Sequence, residues 1–159
     1  MDNERTPSDV VAARVREVRG KRHLTVAELA DRCAEIGAPE LTAQALYKLE
    51  GRRPGKLRPR PVTVDELLAL AAALNVAPVH LLVPIDGFRE SYQVTGGISA
   101  RAAYVREWIR GRLPLRDADL REFFSQIPRA EHDWRYAGGP WPASADELED
   151  SDGEHHETS

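Results

Sequence analysis

A short stretch in the first half of the chain combines hydrogen-bonding side chains of several kinds with apolar residues at helical spacing. Gln44 carries an amide that donates and accepts hydrogen bonds, Tyr47 a hydroxyl and Lys48 a cation. On a helical wheel all three lie away from Leu46 and Leu49. A glutamine amide fits the donor and acceptor on the edge of adenine, and a lysine can reach guanine or a phosphate. These side chains are therefore candidates for base recognition, with an ordinary solvated helix face as the alternative.

The same stretch continues into a segment that is dense in positive charge. Six of the thirteen residues from 48 to 60 are basic, and Glu50 is the only acidic one. The basic residues are Lys48, Arg52, Arg53, Lys56, Arg58 and Arg60. Three prolines and a glycine between residues 54 and 61 predict an extended loop. Such a loop can follow a phosphate backbone or enter a minor groove, and for the residues after Arg53 a solvated loop that favours solubility is the alternative.

Helical periodicity predicts the elements that would hold these side chains in place. Residues 8–19 form a first helix, because valines recur there every three to four residues. Thr25 begins a second helix, and Glu28 completes a capping box with it. Glycine and proline at residues 37–40 require a turn, after which Thr42 caps a short third helix. The polar stretch therefore lies on the third helix.

Two further helices complete a predicted five-helix unit within residues 8–85. Thr63 and Glu66 form another capping-box pattern at the start of the fourth helix. Pro78 suits the first turn of a short fifth helix, which Pro84 ends.

The next part of the chain is predicted to be a mostly helical extension. Tyr92–Thr95 is a strand candidate, followed by a glycine turn, a helix over 99–111 capped by Ser99, and a last helix over 117–127 capped by Asp117. The apolar faces of the two helices include Trp108, Phe123 and Phe124. Such faces need a cover, which either a second copy of the chain or the first five helices could provide.

The net charge of −4 divides unevenly along the chain. After Arg135 there is no lysine or arginine, whereas residues 146–157 supply seven acidic side chains, so the rest of the chain has 22 lysines and arginines against 19 acidic side chains. A body with net positive charge suits a polyanionic partner. Residues 138–159 are predicted to be a disordered tail that keeps the chain soluble, or alternatively folds back over the basic loop.

Several classes of protein find no support in the sequence. No apolar run approaches the roughly 20 residues that span a bilayer, and residues 1–20 lack the apolar centre of a signal peptide. Cys33 is the only cysteine, so no internal disulfide can form, and we expect a cytoplasmic chain. His155 and His156 have no further ligand at metal-binding spacing, and no catalytic motif occurs. We therefore expect no enzyme, no metal and no cofactor.

Three strings in a fixed order carry a resemblance to a known family. They are RVREVRGKRHLTVAELADRC, LTAQALYKLEGRR and VTVDELLALAAALNVAPVHLL. The ordered set resembles the Cro and phage-repressor type of helix-turn-helix proteins, the XRE family, over roughly half of the chain. The resemblance implies a third helix that enters the major groove of DNA, surrounded by phosphate-binding side chains.

The resemblance also implies roles for individual residues. Base contacts would come from Thr42, Ala43, Gln44, Tyr47 and Lys48. Backbone contacts would come from Arg14, Lys21, Arg22, Thr25, Arg52, Arg53, Lys56, Arg58 and Arg60. A structural ion pair between the ends of the first and third helices would join Arg19 and Glu50.

Three features depart from the family pattern. Val26 stands where the family often has a phosphate-binding glutamine. The second helix or its turn is lengthened by residues 34–41, and the loop over 52–61 is longer than the common form.

The sequence therefore predicts an all-α chain in three parts. These are a five-helix, phage-repressor-like helix-turn-helix domain at 1–85, a small, mostly helical extension at 86–137 for dimerisation or partner binding, and the disordered acidic tail. The expected function is a sequence-specific, DNA-binding transcription regulator, a repressor that binds double-stranded DNA as a homodimer. The alternative is an antitoxin or adaptor that binds a protein partner through residues 86–135.

Overall fold

The computed structural model describes residues 6–51, 60–85, 90–115 and 119–127, which fall into two units, residues 1–115 and residues 116–159. Seven helices and one two-stranded sheet occur within these ranges. The elements of the first unit are α1 (Pro7–Lys21), α2 (Val26–Glu35), α3 (Ala43–Leu49), α4 (Val64–Ala73), α5 (Pro78–Leu82), β1 (Ser91–Thr95), β2 (Ile98–Arg101) and α6 (Ala102–Ile109). The second unit contains α7 (Leu120–Ser125), where the rings of Phe123 and Phe124 meet edge to face at 5.3 Å.

Four helices of the first unit begin after a threonine whose side chain satisfies a free backbone N–H group. Thr6, Thr25 and Thr63 each form a capping box with the acidic residue three positions later. Thr42 caps α3 by accepting a hydrogen bond from the Ala45 N–H at 3.2 Å. The predicted starts of the second to fourth helices are thus confirmed, and α5 begins at the predicted Pro78 without a side-chain cap. α1 begins one residue earlier and ends two residues later than predicted.

Five of the described helices, α1, α2, α3, α4 and α6, end in the same way. The residue after the cap adopts a left-handed conformation: His23 with φ 55°, Gly37 with φ 89°, Gly51 with φ 71°, Asn75 with φ 45° and Gly111 with φ 65°. In α2 the next N–H, that of Ala38, donates back to the Cys33 carbonyl at 2.8 Å, which completes a Schellman motif. Such an ending stops the helix sharply and redirects the chain. It sets the start of the segment that leads from α2 to α3.

Two apolar clusters hold the first unit together. The larger cluster contains residues from all five helices α1–α5, and Leu29, Leu46, Leu70 and Leu74 are completely buried in it. The smaller one joins α1 to the sheet and α6, and its buried members are Val10, Val83, Tyr92, Ala102 and Val105. Trp108 packs against the smaller cluster, so residues of its own chain cover part of this ring. The helix over 102–109 is therefore packed within the first unit rather than separated from it at residue 85.

The sheet corrects the all-α expectation and the predicted start of α6. The strand candidate is present as β1, but Ser99 lies in β2, where it pairs with Gln93 in an antiparallel register. Ser99 is therefore no helix cap, and α6 begins at Ala102 with Arg101 at the cap position. The two glycines of the turn match the short connections that join hairpin strands.

The last helix begins after Asp119, two residues beyond the predicted cap. Asp119 caps α7 by accepting from the N–H groups of Arg121 and Glu122, whereas the predicted cap, Asp117, lies outside the described residues. The predicted disordered tail at 138–159 also lies outside them.

Candidate nucleic-acid interface

The helix α3 is amphipathic and is anchored by its inner side. Leu46 and Leu49 are completely buried, and α3 packs against α2. Gln44 is exposed, Tyr47 is 43% exposed and Lys48 is partly exposed. Because side chains three and four apart share a helix face, the two leucines fix which side of α3 meets solvent. The polar side chains predicted to contact bases lie on that outer side.

The first turn of α3 places the two remaining predicted base contacts. Thr42 is exposed, but its hydroxyl oxygen already accepts the Ala45 N–H. Ala43 is partly buried and packs against the larger cluster. Neither residue presents the amide or cation that Gln44 and Lys48 present.

A buried ion pair locks the end of α3 onto α1. Arg19 Nε donates to Glu50 Oε1 at 2.9 Å and Arg19 Nη2 to Glu50 Oε2 at 3.0 Å, and the Glu50 side chain is completely buried. Arg19 Nη1 also donates to the Leu24 carbonyl at 2.7 Å. The hydrogen bonds with Glu50 raise the pKa of Arg19 above its ordinary value, against the opposing effect of burial. The pair implied by the resemblance is thus present, and it neutralises the one acidic group at the end of α3.

Arg16 contributes to this site and was absent from the predicted set. Its Nη2 donates to the backbone carbonyl of Glu50, and its Nε lies 3.9 Å from Glu50 Oε2. The Arg16 side chain is nevertheless 48% exposed. It therefore presents positive charge at the end of α3 while it holds that end in place. Arg16 precedes Arg19 by three residues and so lies on the same side of α1, and this spacing in the sequence could have indicated that Arg16 also contacts Glu50.

Arg14 corrects the predicted set of backbone contacts. It is buried, its Nε donates to the His80 carbonyl at 3.1 Å, and its Nη1 pairs with Glu17. Its guanidinium therefore links α1 to α5 and is withdrawn from any external phosphate.

The remaining predicted backbone contacts fall into four groups. Lys21 and Arg22 are exposed, although Lys21 pairs with Glu17 at 2.6 Å and Arg22 donates to the Asn75 carbonyl at 3.2 Å. Thr25 is exposed and serves as the cap of α2. Arg60 forms a bidentate pair with Glu66, which holds the pKa of that carboxyl below its ordinary value. The predicted contacts outside the described residues are Arg52, Arg53, Lys56 and Arg58.

Two departures from the family pattern have a structural explanation. Val26 is buried in the larger cluster, so the position after the cap contributes to the core and offers no hydrogen bond to a phosphate. α2 ends at Glu35, so two of the residues at 34–41 belong to the helix and the other six lengthen the turn. Within that turn Ala38 and Leu41 are buried, which fixes the segment that leads to α3.

Other chemistry is sparse in the part of the chain that the structure describes. There, no three His, Cys, Asp or Glu side chains lie together in a way that could hold a metal ion. Burial raises the pKa of the Cys33 thiol, which reduces its reactivity. Among the described residues, no helix has the length and apolar character needed to cross a membrane.

Comparisons with known proteins gave no match: no family model, no curated protein and no solved structure is similar to this chain.

Proposed function

We propose that this chain is a cytoplasmic, sequence-specific DNA-binding transcription regulator, a repressor of the XRE type, that reads the major groove with α3. The observation that carries the proposal is the two-sided character of α3. Gln44 and Tyr47 are exposed on a helix whose opposite side is completely buried at Leu46 and Leu49. A helix anchored in this way can enter a groove about 12 Å wide without moving relative to its domain.

Gln44 supplies base recognition in this proposal. Its amide can form two hydrogen bonds with adenine, and each good pair of this kind discriminates against the wrong base by about 1 to 3 kcal/mol. Lys48 lies one turn further along α3 and reaches guanine or the phosphate backbone. Tyr47 lies at the same outer side and borders the groove.

The charges around α3 favour a polyanion. Of the residues from Thr42 to Glu50 only Glu50 is acidic, and Arg19 neutralises it inside the protein. Arg16 and Lys48 remain as exposed or partly exposed cations at this end of the molecule. One unit reads only a few base pairs, so two copies on a two-fold site are needed for useful specificity.

The experiment has two stages. Fragments of the native genome that the protein retains identify a binding sequence, and fluorescence anisotropy then measures its affinity over a series of salt concentrations. We expect affinity to fall steeply as salt rises, and Lys48→Gln to weaken binding and lower the salt slope by about one. Arg121→Gln, at an exposed position of α7, is the matched control and should leave the slope unchanged. No retained fragment, or binding that is indifferent to salt, would contradict the proposal.

An antitoxin or adaptor that binds a protein through residues 86–135 is the second candidate. An open groove along α6 favours it. The described lining residues are Ala103, Tyr104, Arg106, Glu107 and Arg110. This function requires no salt-dependent binding of DNA, so the same salt series separates the two candidates.

A further inference from the structure

The groove along α6 has a volume of about 440 Å³ and is open to solvent. Ala103, Glu107 and Arg110 line it from one face of the helix, because residues four and three apart lie above one another. Tyr104 and Arg106 complete the described part of its wall. Ligand sites in proteins occupy about 300 to 1,000 Å³, so this space, here called the α6 groove, has room for several side chains of a partner.

Arg106 is the cation of the α6 groove whose charge no acid offsets. Its Nη1 donates to the backbone carbonyl of Pro84, a neutral acceptor, and no carboxylate among the described residues pairs with it. The carbonyl holds the guanidinium in place and leaves its positive charge at the groove. A guanidinium held in this way presents its remaining N–H groups in a fork that matches a carboxylate.

The other charges of the α6 groove are held by one another. Glu107 Oε1 accepts from Arg110 Nη1 at 2.8 Å, and Glu107 Oε2 accepts from Arg112 Nη1 at 3.4 Å. Arg110 Nη2 lies 3.3 Å from His80 Nε2, so α5 also positions this side chain. Three arginines against one glutamate leave the groove positively charged, with the excess at Arg106.

Tyr104 gives the α6 groove an apolar wall next to this charge. The residue is 46% exposed, although it lies one position before Val105, which is completely buried. Tyrosine and arginine are the side chains most enriched where proteins bind one another. A ring and a guanidinium at neighbouring positions can receive an apolar side chain and a carboxylate of the same segment.

We propose that the α6 groove binds a short acidic segment of another protein, with a carboxylate on Arg106 and an apolar side chain against Tyr104 and Ala103. The proposal rests on the adaptor function for the existence of a protein partner and is independent of DNA binding by α3. Duplex DNA fits this groove less well, because the Glu107 side chain is 31% exposed among the arginines and repels phosphate. At the end of α3, by contrast, the only acid is completely buried.

The length of the α6 groove sets the length of the segment. From Ala103 to Arg110 the helix rises by about 10 Å. An extended peptide covers this distance with about three to four residues. So short a contact buries far less than a standard interface, and we expect a dissociation constant in the micromolar range.

The first test selects peptides from a phage-displayed library of random heptapeptides on the immobilised full chain, without DNA. We expect the enriched peptides to carry Asp or Glu within a few positions of Leu or an aromatic residue. Fluorescence anisotropy then measures the affinity of the most enriched peptide. Arg106→Gln should raise its dissociation constant at least about tenfold, whereas Arg32→Gln, at an exposed arginine of α2, is the matched control and should leave it unchanged. No enrichment of acidic peptides, or equal effects of the two substitutions, would overturn the proposal.

A second variant leaves the contact between Arg106 and Pro84 intact. Ala103→Glu places a carboxylate one turn before Arg106, where it offsets the charge and fills the groove. It should weaken peptide binding more than Ala103→Gln, which has the same size without the charge. Peptides whose affinity neither Arg106→Gln nor Ala103→Glu changes bind elsewhere, which would overturn this proposal but not the adaptor function. If Arg106→Gln instead weakens binding of the genomic DNA fragment as much as Lys48→Gln does, the α6 groove is a DNA contact and the proposal is wrong.

Discussion

The buried pair of Arg19 and Glu50 should be one of the most sensitive points of the fold. Arg19→Met leaves the completely buried carboxylate of Glu50 without its bidentate partner and removes the hydrogen bond to the Leu24 carbonyl. Breaking a buried ion pair by removing one partner costs about 3 to 5 kcal/mol of unfolding free energy. Arg16 Nε, 3.9 Å from the same carboxylate, remains and is half exposed. We therefore expect a loss of about 3 kcal/mol, at the lower end of that range.

Urea unfolding followed by circular dichroism measures this loss of free energy, and thermal unfolding measures the accompanying change in melting temperature. At about 4 to 8 °C per kcal/mol for a small domain, the melting temperature should fall by roughly 12 to 24 °C. The double variant Arg19→Met with Glu50→Leu should recover most of the loss, since two apolar side chains then fill the space without a charge. A single variant that loses less than about 1 kcal/mol would refute the reasoning, as would a double variant less stable than Arg19→Met alone.

Three further changes test local parts of the account. His23→Gly should raise the free energy of unfolding by about 0.5 to 1 kcal/mol in thermal denaturation, because the His23 side chain is strained in the left-handed region. An unchanged free energy of unfolding would contradict this strain. The pKa of Glu66 is lowered by its hydrogen bonds with Arg60, so the charged carboxylate stabilises the fold at pH values above its ordinary pKa, and this stabilisation is lost as pH falls through the lowered pKa. In Glu66→Gln the free energy of unfolding should therefore fall less steeply with decreasing pH in the acid range. An unchanged slope would count against the pair. Burial raises the pKa of Tyr92 to about 12, and its hydroxyl donates to the Leu82 carbonyl at 2.8 Å. Tyr92→Phe should cost about 1 kcal/mol and remove one tyrosine transition at high pH from the ultraviolet titration. Loss of a transition near the ordinary pKa of 10 instead would contradict the burial of this hydroxyl.

The helix starts were predictable because their causes are local. Thr25 with Glu28, and Thr63 with Glu66, satisfy N–H groups within three residues of one another. The second strand was missed because its cause is not local. Ser99 suits a helix cap by type, and only its pairing with Gln93 across the hairpin makes it a strand residue.

The predictions for the candidate site were also right where the cause is local and wrong where it is not. Helical spacing alone predicts that Gln44 lies opposite Leu46, and both have the expected exposure. Arg14 was assigned wrongly because its hydrogen-bond acceptor, the His80 carbonyl, lies 66 residues away in the sequence. Arg16 was missed for the same reason, since it contacts Glu50 at a separation of 34 residues. An arginine on a helix has the same pattern whether it points to a phosphate or to its own protein.

Selection of bound sequences from a random double-stranded DNA library tests the central claim most directly, with the wild type, Gln44→Ala and the control Gln126→Ala compared. Gln126 is an exposed glutamine at the end of α7 and serves as the matched position. We expect the wild type and the control to enrich one motif, and Gln44→Ala to lose the preference for an adenine at one position, by about 1 to 3 kcal/mol, while the rest of the motif is kept. If the wild type enriches no motif, or if Gln44→Ala enriches the same motif with the same affinity, α3 does not read bases through this face.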